Sequence, residues 1–383
     1  MKRQLLILIF LGVAFSLFGQ TFVNKGAKIV VNDGTNLKLN DFSNSELNSY
    51  LYFNSNIDVS GDWINISPAT FENGENGSVT LNGKSSQLLK SGENQFKVLI
   101  IENSADDGII LTDDLILSGH LFLKDGIIKT GDNKIIFLEN AVSEAGNNNS
   151  FVFGNMERTG SGSFVFPTGD IINNTQKIWS PVIVIPESYA MTEARYYYEN
   201  YESFDNSKLD SEVESISNSE YYVLRSDKRS DVGIYTNNAD ENYIVVYLNN
   251  DTWDNMSKGK KQFYEDNFLF GYGIPGSDRA IVTIGKSTKD QLYSETGNMN
   301  DPLFVVYPNP FTNELNIITS GMPSNESEIF IYNTLGSLVY TKEILTPQPE
   351  SSQNINLSNF VPGIYYIKII SGEYINNIKI EKY

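Results

Sequence analysis

The chain of 383 residues has no cysteine and a single histidine, His120. Without cysteine there is no thiol nucleophile, no disulfide, no thiolate metal site and no lipid-modified cysteine anchor. With one imidazole, neither a Cys-His pair nor a zinc cluster built on several histidines can be assembled. The sequence also lacks a GxSxG nucleophile elbow, a P-loop and any glycine-rich dinucleotide pattern placed between a strand and a helix. His120 falls between Gly119 and Leu121, out of phase with the apolar residues around it, and reads as solvent-facing. Positive charge is scarce: 28 basic residues stand against 47 acidic ones, a net charge of −19. That balance argues against nucleic acid as a partner, because phosphate neutralisation needs basic patches, and it suits solubility.

Long apolar runs are scarce too. One stretch, Leu5 to Phe18, follows Lys2 and Arg3 and is succeeded by Gly19 and Gln20. As a helix it reaches about 21 Å, short of a hydrocarbon core of about 30 Å. Residues 1–19 therefore read as a signal peptide, with Gln20 expected as the mature N-terminus, although Leu17 occupies a position where a small residue is usual. An exported chain without disulfides must draw its stability from packing.

What the sequence has in abundance is short β-like runs, and it reads as all-β. Residues 20–160 carry runs such as VTL (79–81), VLII (98–101), IIL (109–111), LIL (115–117), LFL (121–123) and IIFL (135–138). Within them Ile109, Leu115, Leu121 and Ile127 recur at six-residue intervals. Strands this short bury a face when stacked as rungs, so a parallel β-helix is expected, three strands and their turns making a coil of roughly twenty residues. A regular antiparallel domain is the alternative. Residues 161–284 carry longer alternating, aromatic-rich runs, including SPVIVIPE (180–187), EYYVLRSD (220–227) and YIVVYLNN (243–250), as expected of a β-sandwich. Residues 285–300 are polar and aperiodic and read as a linker. A transmembrane β-barrel is disfavoured, since the runs are shorter than the ~9 to 11 residues such strands need.

Chemistry-bearing candidates are few. Asp106 with Asp107, and Asp113 with Asp114, fall in successive turns of the expected solenoid, with Lys124 and Lys129 nearby. Stacked turns can bring such carboxylates together, as acids for glycan cleavage or as calcium ligands; the plainer reading is that Asp favours turns. Catalytic residues are not assigned, and no cofactor is implied beyond a structural calcium. Trp63, Trp179 and Trp253, and the run Tyr196 to Tyr198, are candidates for stacking on sugar rings, although alternation sends part of any tyrosine run into a core. Trp253, in the polar segment DTWDNMSKGKK with Lys258, Lys260 and Lys261, is the best placed of them for an exposed role.

The last residues carry the most specific pattern. From 301 to 383 five alternating runs are separated by turn residues: YPNPF (307–311), ELNII (314–318), EIFIYNTLGSLVY (328–340), INLSNFVPGIYYIKI (355–369) and NNIKIEKY (376–383). Pro308, Asn309 and Pro310, the turn at Leu335 and Gly336, and the stretch through Pro362, Gly363 and Tyr365 to Lys379 together resemble the type A C-terminal sorting domain of the Bacteroidetes type IX, or Por, secretion system. The resemblance implies an immunoglobulin-like sandwich, export through the periplasm to the cell surface or the medium, and the secretion machinery and its sorting peptidase as partners. It also implies cleavage near the linker, followed by release or attachment to lipopolysaccharide. Residues 118–141 further resemble β-helical segments of exported proteins, and the middle region resembles a module of unknown activity often placed before this domain. The expected function is a non-catalytic, non-integral surface or secreted protein with an adhesive or structural role; the alternative is a polysaccharide-binding or polysaccharide-degrading protein using the β-helix groove.

Overall fold

The computed structural model describes residues 21–173, 175–199, 208–236, 242–256, 264–265, 268–276, 279–288, 303–307, 309, 311–320, 326–345, 350–371 and 374–382. Among these the regular elements are all strands. They fall into two compact units, Met1–Gly160 with Phe166–Pro181 and Met191–Tyr198, and Ser161–Val165 with Val182–Ala190 and Glu199–Tyr383. The expected signal segment, most of the linker, Lys258, Lys260, Lys261, Pro308 and Pro310 lie outside the described residues.

The first unit is built on a β-solenoid of parallel strands in three stacks. The first stack runs through Phe22–Asn24, Phe42–Asn44, Trp63–Asn65, Gln87–Lys90, Ile109–Leu111 and the start of Ile128–Phe137. The second begins with Lys28–Val31, Tyr50–Phe53 and Thr70–Asn73; further along, Phe96 pairs with Leu117 and Leu117 with Phe137. The third takes Leu37–Leu39, Asn56–Val59 and Ser78–Leu81, then places Leu99 over Val79 and Leu121 over Leu99. Such strands cannot stand alone; each coil covers the apolar row of the one before it. Ile109, Leu115, Leu121 and Ile127 are each at most 1% exposed. The coils are unequal: Phe42 lies over Phe22 after 20 residues and Ile128 over Ile109 after 19, but Leu89 lies over Trp63 after 26.

Inside the coils Phe22 stacks on Phe42 at 5.8 Å and Phe42 on Trp63 at 4.0 Å, while Phe71 meets Trp63 edge-on at 5.3 Å. One corner is held by side-chain amides. Asn24, Asn44 and Asn65 lie in register on successive coils and are buried. Asn44 donates to Asn65 Oδ1 at 2.7 Å and to the Thr70 carbonyl at 2.9 Å, and Asn65 donates to the carbonyls of Ala69 and Ser91 at 3.0 and 3.1 Å. Tight corners leave backbone groups facing inward without strand partners, and the amides satisfy them. Where the long coil bulges after Leu81, the buried Gln87 does the same work, accepting from Gly83 N at 2.8 Å and donating to the Val59 carbonyl at 3.0 Å.

The second unit holds antiparallel sheets. One orders Val182–Pro186, Ser230–Tyr235, Phe268–Ile274 and Tyr264–Glu265. Another is centred on Arg279–Ser287, with Tyr221–Ser226 and Val213–Ile216 on one side and Tyr243–Asn249, followed by Thr252–Asn255, on the other. Gly271 marks where the two approach: a Cβ there would meet Val245 Cβ at 2.7 Å and Met256 Cβ at 3.0 Å.

The residues after the linker form a three-stranded sheet, Leu303–Tyr307, Glu314–Ser320 and Glu350–Asn356, and a four-stranded sheet ordered Leu338–Leu345, Glu326–Asn333, Gly363–Ser371 and Tyr374–Lys382. Alternation sends Leu315, Ile317 and Ile355 of the first sheet and Ile329, Ile331, Ile367 and Ile369 of the second into one buried cluster. Tyr365 closes that core and donates its hydroxyl to the Val361 carbonyl at 2.8 Å, a bond of the kind that fixes a corner in immunoglobulin-type sandwiches.

Candidate functional site

The sequence candidates near the C-terminus converge in space. Asn309 acts as a clamp on the last strand: its amide donates to the Lys379 carbonyl at 2.8 Å and its Oδ1 accepts from Glu381 N at 3.0 Å. Phe311 N then donates to the Glu381 carbonyl at 2.8 Å, and Phe311 is buried. The Lys382 side chain, also buried, lies over the Phe311 ring and donates to the Thr312 carbonyl; burial lowers its pKa.

Gly336 adopts a φ of 76°, which a side chain rarely tolerates, in a turn organised by Asn333. Asn333 Oδ1 accepts from both Leu335 N at 3.0 Å and Ser337 N at 2.9 Å. Sequence reading singled out Leu335 and Gly336 and passed over Asn333; the signal was there, since Asn bonding backbone amides just downstream is what starts such turns. Pro362 is exposed, Gly363 opens the strand that carries Tyr365, and Lys379 is cross-strand to Tyr366. Because Asn333 pairs with Tyr365, the 334–337 turn and the 357–362 loop lie at the same end of the sheet.

The acidic candidates do not converge. Asp106 and Asp107 precede the strand Ile109–Leu111 and Asp113 and Asp114 follow it, so about 10 Å of strand separates the pairs at about 3.3 Å per residue. Asp107 pairs with Lys129 at 2.7 Å, and that hydrogen bond holds its carboxyl below the usual range. Asp106 lies 3.9 Å from Lys177. Asp113 accepts from Ser91 N at 2.8 Å and Gly92 N at 2.7 Å, and Asp114 accepts from Lys134 N at 3.0 Å. Lys124 is engaged elsewhere, with Glu102 at 2.6 Å. Among the described residues no three His, Cys, Asp or Glu side chains gather as a cation site.

Other expectations are corrected by burial. His120 is not solvent-facing: it is 4% exposed and stacks at 3.7 Å on Phe122, two residues on and on the same face of Leu115–Asp125, opposite the buried Leu121 and Leu123. Burial depresses its pKa to about 4. Trp253 is not a loop residue; it sits on Thr252–Asn255 at 0% exposure, between Leu248 of the paired strand Tyr243–Asn249 and Leu209, where its backbone N–H donates to the Lys208 carbonyl at 2.9 Å. Trp63 is a core residue of the solenoid, and Trp179 uses its indole N–H on the Ala145 carbonyl at 2.7 Å. Tyr196 is buried, Tyr197 lies under the Arg195 guanidinium at 4.6 Å, and Tyr198 is exposed.

Among the described residues no helix is long and apolar enough to cross a membrane, which leaves membrane-crossing strands unaddressed. No curated protein matches the chain. Residues 305–381 match the family model of the secretion system C-terminal sorting domain, and a domain of that family implies export by the type IX route to the cell surface or the medium.

Proposed function

We propose that the delivered part is a non-catalytic platform, adhesive or structural, with the solenoid and the middle sheets displayed at the surface. The observation that carries this reading is the use of the acidic pairs: Asp113 and Asp114 accept backbone amides and Asp107 pairs with Lys129, so the carboxylates serve turns and neighbouring coils. Processing in the linker between 285 and 300 separates platform from sorting domain, and the platform is then released or attached to lipopolysaccharide. Removing residues 301–383 is expected to leave a folded product in the periplasm; normal surface display of that product would refute the delivery half of the proposal.

A glycan-binding reading has one feature in its favour. On the second stack, Tyr50 and Tyr52 alternate with the buried Leu51 and Phe53 and face outward on a parallel sheet, Tyr50 bonded to Glu72 at 2.7 Å and lying under Lys28 at 5.1 Å. Aromatic faces on a rigid sheet suit sugar rings. A glycan array probed with the mature chain separates the readings: binding that disappears in Tyr50→Ser/Tyr52→Ser favours recognition, and an empty array favours the platform.

A further inference from the structure

In the sorting domain several large apolar side chains stand exposed at one end, and they are held there. Leu335 is 89% exposed, Val361 71%, Leu338 50%, Tyr366 47% and Val339 41%. The outer face of the four-stranded sheet is continuous with them: Leu338 pairs with Tyr332, Tyr332 with Tyr366 and Tyr366 with Lys379, a row across all four strands. In the next row Phe330 stands beside Lys368, and its ring lies 6.4 Å from that of Tyr332. The outer face of a two-layer sandwich is ordinarily polar, and a contiguous exposed apolar surface marks an interaction site.

These side chains are not there for packing, because the core closes without them. Nor are they loosely tethered. Leu335 sits in the turn fixed by two bonds to Asn333, and Val361 is fixed through its carbonyl by the Tyr365 hydroxyl. Anchors already immobilised lose little entropy on binding. In the three outward rows nearest this end Glu381 stands opposite Ile364, Lys379 opposite Tyr366 and Lys368 opposite Phe330, two positive charges to one negative in a chain of net charge −19, with Glu328 and Glu343 one row further from the end.

We propose that this end is the surface by which the sorting domain is received, and that its partner is a protein of the export machinery presenting an apolar pocket rimmed by carboxylates. The proposal rests on the delivery reading above and names the face. Leu335 and Val361 are the knobs, Tyr332 and Tyr366 the flat centre, and Lys379 the charge that orients the complex. The Asn309 clamp holds Lys379 in place by bonding its carbonyl.

The test uses the full chain in a bacterium with a functioning type IX system. Leu335→Asp/Val361→Asp is expected to cut the exported fraction at least tenfold, and Lys379→Glu several-fold, with the melting temperature of the purified precursor unchanged. The control Asn354→Lys, on the exposed face of the other sheet, should export normally. Normal export of the double variant overturns the proposal, and so does an equal loss in the control. Should the double variant melt early, Leu335→Ser decides, because that side chain makes so little contact that only recognition is disturbed. Loss of export on removing 301–383 together with normal export of all these variants refutes the face while leaving the delivery reading standing.

Discussion

Replacing Asn65 with alanine tests whether the corner amides hold the solenoid together. Asn65 makes three buried hydrogen bonds: it donates to Ala69 and Ser91 and accepts from Asn44. The variant strips two carbonyls of a donor, while Asn44 keeps its bond to the Thr70 carbonyl. At about 1 kcal/mol net for each buried bond, the loss is about 3 kcal/mol, or roughly a hundredfold in the local opening equilibrium. A global melting curve is a poor readout for a chain with two compact units. Amide hydrogen exchange on the mature chain resolves it: protection across Phe42–Asn44, Trp63–Asn65 and Gln87–Lys90 should fall roughly a hundredfold, with the second unit unchanged. Asn24→Ala supplies the comparison, because its amide bonds only to Ala27 within its own coil, so its effect should be smaller and confined to the first coil. A change below about fivefold for Asn65→Ala, or one as large in the second unit, would mean that backbone pairing and apolar burial suffice and the corner bonds are incidental.

His120 gives a pH signature. Its folded pKa is depressed to about 4 from an ordinary 6.5 by burial, so the unfolded chain binds the extra proton first. Its neutral form therefore contributes stability fully above 6.5, and that contribution, up to about 3 kcal/mol, is lost as pH falls through 4; in acid unfolding from pH 7 to 4, His120→Leu should hold its stability better than the parent, and parallel curves would refute the account. Calcium is expected to leave solenoid melting unchanged, since Asp113 and Asp114 are already engaged with amides; a rise of several degrees on adding calcium, abolished by Asp113→Asn, would show otherwise. Asn309→Ala should cost about 2 kcal/mol by releasing two bonds to the last strand and should raise amide exchange in Tyr374–Lys382 above that in Gly363–Ser371. Equal exchange in both strands would place the clamp elsewhere.

Much of the fold is written in periodicity. The six-residue recurrence of Ile109, Leu115, Leu121 and Ile127 favours stacked rungs over a regular antiparallel domain, because runs of three apolar residues bury a face when each coil covers the next. The C-terminal strands were legible for the opposite reason: each is long enough for alternation to name its buried side, as in Ile329 and Ile331 against Phe330. Individual side chains were harder. His120 stands out of phase with the apolar row as the sequence suggests, yet it is buried on its own face against Phe122, and alternation alone does not report what covers the outer face of a strand. Trp253 looks like a loop residue from its polar neighbours, yet it bridges to Leu209, 44 residues earlier, which no local pattern reports. The acidic pairs flank the strand Ile109–Leu111; whether adjacent turns meet depends on which corner each occupies, and one short strand is enough to part them.

The unequal coils carry a consequence for how this molecule can be lengthened. Successive rungs stay aligned whether 19 or 26 residues separate them, because the surplus is expelled at a corner and Gln87 stitches the gap. The solenoid thus counts corners, not residues. Sequence inserted at the bulge around Gly83 to Ser86 changes the outline of one coil and leaves every rung above and below it in step. That corner is a natural graft point, where a lineage, or an engineer wanting a displayed peptide at a cell surface, can add a new loop without rewriting the scaffold.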